Sequence, residues 1–105
     1  MNQPTHLLVL VALVGFLGVT PMLASCTKKA SPAQCDEMLD RYAELVVKER
    51  FGDAGADIVA SEQVRERNEA KGDDAFKNCT SGVQLNEHAC AMKATTSAAL
   101  VKCLE

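Results

Sequence analysis

The chain has 105 residues, with 11 Lys and Arg set against 14 Asp and Glu for a formal net charge of −3. That length allows one small domain, whose core is too small to be comfortable without cross-links or partners. Acids and bases are mixed rather than blocked, and there is only one Tyr, three Phe and no Trp. The basic, aromatic-interleaved stripe of a nucleic-acid binder is therefore missing, and no nucleic-acid partner is expected.

The first element is an apolar leader. No Asp, Glu, Lys or Arg precedes Cys26, and Leu7 to Val19 is a nearly unbroken run of Leu, Val, Ala, Gly and Phe. A membrane span needs about 20 apolar residues, so this shorter run predicts the hydrophobic region of a secretory signal. Thr20-Pro21 breaks the run, and the small side chains of Ala24 and Ser25 lead to Cys26. The four residues Leu23-Ala24-Ser25-Cys26 resemble the lipobox of bacterial lipoproteins. That resemblance implies cleavage between Ser25 and Cys26, acylation of the Cys26 thiol, and attachment to the membrane through the acyl chains. It also implies a cell-envelope location. Because Thr27 rather than Asp follows the cysteine, the resemblance favours the periplasmic face of the outer membrane in a Gram-negative host. The amino-terminal Met1-Asn2-Gln3-Pro4-Thr5-His6 departs from such signals in having no Lys or Arg.

On this reading residues 1–25 are a signal peptide, residues 26–33 a lipidated terminus and tether, and residues 34–105 the domain. The tether is short, polar and proline-bearing, and its extended reach is about 20 Å. Lys28 and Lys29 within it suit anionic headgroups, or simply solvent.

A strong helix signal follows. Ser31 can cap, Pro32 suits the first helical position, and Gln34 completes a capping box. Cys35, Leu39, Tyr42 and Val46 recur at helical spacing, Met38 and Leu45 widen the stripe, and Gly52 marks the end, which predicts a helix over 32–51. A second helix is expected over 57–71, with Ile58, Val59 and Val64 as its apolar contacts and Glu62, Arg65, Glu66, Arg67, Glu69 and Lys71 as a solvated face. A short third helix capped by Asp73 or Asp74 should carry Phe76 and Cys79, with Thr80-Ser81-Gly82 as a turn. A fourth, over 84–93, should bury Leu85, Ala89 and Met92, and a last short one should run over 98–104. No segment alternates like a strand, so the fold class is all-α: a small bundle of four or five short helices.

With Cys26 assigned to lipid, Cys35, Cys79, Cys90 and Cys103 form an even set, as expected for two disulfides in an oxidising compartment. Three connectivities are possible. Cys90 and Cys103 lie on consecutive short helices, and a helical hairpin would bring them together, leaving Cys35 to pair with Cys79. In the chain-entropy model such bridges contribute about 3 and about 4 kcal/mol. The run from Cys90 through Leu100 to Cys103, with Phe76 and Cys79 upstream, also resembles a cysteine-spaced pattern in small exported helical proteins of delta-proteobacteria. That likeness implies no activity.

Catalytic constellations are missing from the sequence. His88 is the only histidine after Cys26 and the only candidate base, and it reads as an exposed helix residue. There is no Gly-x-Ser-x-Gly turn, no Cys-x-x-Cys pair and no paired histidines, so neither a hydrolase, a thiol oxidoreductase nor a zinc site is expected. The acids Asp36-Glu37 and Asp73-Asp74 sit at expected helix starts, where they favour the helix dipole. So small a core should leave little room for a pocket of about 300 Å³, and no cofactor or small-molecule substrate is inferred. The expected function is that of a lipid-anchored, non-enzymatic interaction or structural module with an envelope-protein partner. The alternative is a small inhibitor or immunity-type lipoprotein, with its specificity in residues 52–57 or 80–82.

Overall fold

The computed structural model describes residues 28–105, so the leader, the Leu23-to-Cys26 box, Ser25 and Cys26 lie outside the described residues. Five helices follow one another: α1 (Pro32–Phe51), α2 (Ala56–Ala70), α3 (Cys79–Gly82), α4 (Leu85–Lys93) and α5 (Ser97–Lys102). Among the described residues there are no strands, only one isolated bridge between Lys29 and Gln84.

Helix α1 is the axis of the bundle and touches each of the other four helices. Its start is fixed locally: the Gln34 amide donates to Ser31 Oγ at 3.2 Å, and the Ser31 amide donates to Gln34 Oε1 at 2.8 Å. These two bonds satisfy backbone donors that a helix end leaves orphaned. Because α1 buries Cys35, Met38, Leu39, Ala43, Leu45, Val46 and Val47, its apolar surface wraps well beyond one stripe. That width is what lets a single helix serve several neighbours. At its end Gly52 has an ordinary right-handed conformation. What requires glycine there is closeness, since a Cβ would stand 2.8 Å from the Lys48 carbonyl oxygen.

Helix α2 returns alongside α1, but its buried stripe is not the apolar one expected. Ile58 and Val64 are exposed, at 52% and 61%. Residues six apart on a helix point about 120° from each other, so they cannot share one face. The inward positions are instead Val59, Gln63, Glu66 and Ala70, at helical spacing, with Glu66 and Ala70 buried and the other two half-buried. Glu66 is held by Arg50 Nη1 at 3.0 Å. Arg67 reaches across to Asp40 at 2.5 Å and Asp36 at 3.2 Å. The face expected to be simply solvated thus carries interhelical ion pairs, and Asp36 serves α2 rather than the dipole of its own helix.

The expected third helix and the turn after it exchange places. Residues 73–78 form successive turns, with the Phe76 and Lys77 amides donating to the Asp73 carbonyl, whereas Cys79–Gly82 is helical. Phe76 is buried all the same, its ring centroid 5.0 Å from that of Tyr42 in a tilted pair. Burial beside Asp73 and Glu66 raises the Tyr42 phenol above its ordinary pKa. Helix α4 is also rotated relative to expectation, because it buries His88 and Ala91 while Ala89 is exposed.

Two disulfides staple the bundle, Cys35 to Cys79 and Cys90 to Cys103, with Cα atoms 6.0 Å and 5.8 Å apart. The first joins α1 to α3 and sits in the core. The second closes the α4–α5 hairpin nearer the surface.

The tether boundary is corrected as well. Residues 28–30 belong to the folded unit: the Ala30 amide donates to the Val83 carbonyl at 2.8 Å, and the Leu85 amide donates to the Lys28 carbonyl at 3.0 Å. Ala30 is buried, at 3% exposure. The second of these bonds satisfies an orphan donor at the start of α4, so a segment expected to be a loose linker helps to cap a helix.

Candidate functional site

Two surfaces are candidates for a functional site. The first is the seam between α1 and α2. An open groove of about 630 Å³ runs along it, floored by Ala43, Ala60, Val64 and Met92. Its rim holds Glu37, Glu44 and the Asp40–Arg67 pair. A smaller hollow of about 220 Å³ continues the seam past Val47, Phe51 and Val59. The main groove is larger than the core size predicts because it lies outside the core, open to solvent along Ala60 and Val64.

The rim is structurally committed. Arg67 is engaged by Asp36 and Asp40, and its guanidinium is held above its ordinary pKa chiefly by the hydrogen bond to Asp40. Arg41 pairs with Glu44 at 3.2 Å and donates from Nη2 to the Ala94 carbonyl at 3.0 Å, which ties the end of α4 to α1. Such a cation complements the negative end of α4. The groove therefore offers an apolar floor between fixed charges. No nucleophile with an adjacent base lines it.

His88 stands apart from the groove lining. It is buried at 8% exposure rather than exposed as expected, and its Nε2 has no hydrogen-bond partner among the described residues. The nearest carboxylate, Glu37, is 3.8 Å away. The ring is packed among the helices, with that carboxylate beyond hydrogen-bonding distance. Cys79, Cys90 and Cys103, its neighbours in sequence, are all committed to disulfides. Among the described residues no group of three His, Cys, Asp or Glu side chains could hold a metal ion.

The second surface is the edge made by residues 28–30 and the start of α4. Lys28 and Lys29 are both exposed there, and neither forms an ion pair among the described residues. Of the segments expected to carry specificity, the turn at 52–55 is largely exposed, and residues 80–82 are exposed as well, although helical. Sequence reasoning singled out Lys28 and Lys29 but missed the groove and the pairing of residues 28–30 with the start of α4. The signal for the first was the 120° offset of Ile58 from Val64; the pairing of residues 28–30 has no local signal, since its partners lie more than fifty positions away.

No protein family matches the chain, and neither any curated protein nor any solved structure matches it. Among the described residues no helix is long and apolar enough to cross a membrane.

Proposed function

We propose that this is a lipid-anchored protein of the bacterial cell envelope that works as a non-enzymatic interaction module, presenting the α1–α2 seam to a partner protein. The observation that carries the interaction reading is the 61% exposure of Val64, a large aliphatic side chain that lines the groove between α1 and α2. A large aliphatic side chain left in water at a groove that Ala60 and Met92 also line is what a protein partner would cover. Support for the anchored reading comes from the Leu23-to-Cys26 box and from the two disulfides, which suit an oxidising compartment. In the inhibitor reading, specificity would fall to residues 52–57 or to residues 80–82, both shorter features than the seam.

The anchor is tested by mass spectrometry of the protein purified from bacterial membranes. The expected amino terminus is an acylated Cys26, and Cys26→Ser should release the domain into the soluble fraction. An unmodified Cys26 thiol on the intact chain would sink the anchored reading. For the seam, a photo-crosslinking residue at position 64 should capture a discrete envelope protein in the native host, and the same residue at exposed Lys93 should not. Equal yields from both positions would remove the seam from consideration.

A further inference from the structure

The pairing of residues 28–30 with the start of α4 leaves almost no tether. Only Thr27 separates Cys26 in sequence from Lys28, whose backbone carbonyl accepts from the Leu85 amide. Two residue steps span at most about 7 Å, so an acylated Cys26 would hold Lys28 at headgroup level. An eight-residue linker would let the domain tumble; one intervening residue is too short to do so. Lys28 and Lys29 are exposed on this edge and lack carboxylate partners among the described residues, while the one carboxylate at the start of α4, Glu87, is half-buried and accepts from the Gln84 amide. The fully exposed charges of the edge are therefore positive and complement anionic phospholipid. Helix α1 starts beside the same edge at Pro32 and runs about 30 Å to the turn at 52–55.

We propose that the edge formed by Lys28, Lys29 and the start of α4 lies directly against an anionic bilayer surface, fixing the orientation of the domain and placing the turn at 52–55 at its far end. This rests on the lipoprotein reading above and adds to it the surface that faces the lipid. Its consequence is that the α1–α2 seam stands at a set height and angle to the membrane, so a partner meets it without the entropy cost of orienting a freely swinging domain.

The chain contains no Trp, which makes a single introduced one an unambiguous reporter. Asn86→Trp, next to the Lys28-bonded Leu85, and Asp53→Trp, in the distal turn, are both at exposed positions. Each acylated full-length variant is reconstituted into phosphatidylethanolamine–phosphatidylglycerol vesicles carrying a headgroup nitroxide. The expected result is loss of fluorescence at position 86 and none at position 53. Inserting a flexible Gly-Ser spacer between Thr27 and Lys28 should abolish the difference. Equal quenching at the two positions without the spacer, in protein that floats with the vesicles, overturns the fixed orientation and leaves the lipoprotein reading standing. Protein whose Cys26 proves unacylated overturns both.

Discussion

His88 illustrates how a single residue can run against its own chemistry. Polar side chains are mostly found outside, and a histidine on an otherwise ordinary helix reads as exposed for that reason. Here α4 turns its Leu85, His88 and Ala91 positions inward, because Arg41 holds the Ala94 carbonyl at one end and residues 28–30 hold the other. The helix is docked by its two ends, and the imidazole goes where that docking puts it. A buried nitrogen without a partner costs about 1–3 kcal/mol, so His88→Leu should raise the unfolding free energy at neutral pH by about 1 kcal/mol in urea denaturation. A loss of that size instead would mean that the ring makes a polar contact worth keeping. Glu66 is the complementary case: it is buried as well, but Arg50 and Arg65 supply the charge that makes its burial tolerable.

At the level of elements, α5 is among the short helices that could not exist alone. Six residues are far below the length at which a helix is stable in water. It is held by caps from two sources. Thr96 Oγ1 accepts from the Ala99 amide at 3.1 Å, and Glu49 on α1 accepts from both the amide and the hydroxyl of Ser97, each at 2.7 Å. Those hydrogen bonds from Ser97 lower the Glu49 carboxyl below its ordinary pKa. A carboxylate depressed in the folded state contributes stability that is complete above its unfolded-state pKa and is lost as pH falls through the folded one. Thermal stability should therefore decline on acidification below about pH 4.5 more steeply in the native chain than in Glu49→Gln. Since Glu49 is exposed to solvent, the difference should be a few tenths of a kcal/mol. Identical pH profiles for the two proteins would show that the carboxylate is not the clamp on α5.

For the molecule as a whole, the two disulfides divide the work unequally. The Cys35–Cys79 bridge closes a separation of 44 residues in the core, the Cys90–Cys103 bridge one of 13 near the surface. The chain-entropy model gives about 4 and about 3 kcal/mol, against a total stability of about 5–15 kcal/mol for natural domains. The double variant Cys35→Ala, Cys79→Ala should lose cooperative thermal unfolding altogether by circular dichroism. Cys90→Ala with Cys103→Ala should keep a cooperative transition at lower temperature, with loss confined to α4 and α5. The reverse order would mean that the hairpin, not α1, nucleates the core. The sequence was enough for whatever depends on near neighbours: the all-α class, the capped start and the length of α1, an even set of four cysteines, and the hairpin spacing that favours their pairing. Each follows from periodicity, capping chemistry or loop length, which act over a few residues. Tertiary structure alone decided which face of α2 and of α4 turns inward, that Glu66 and His88 are buried, that a groove opens along the α1–α2 seam, and that residues 28–30 join the fold. Those outcomes depend on groups brought together from distant parts of the chain, as Arg41 is to Ala94, Arg67 to Asp36 and Ala30 to Val83, and no local pattern encodes such a meeting.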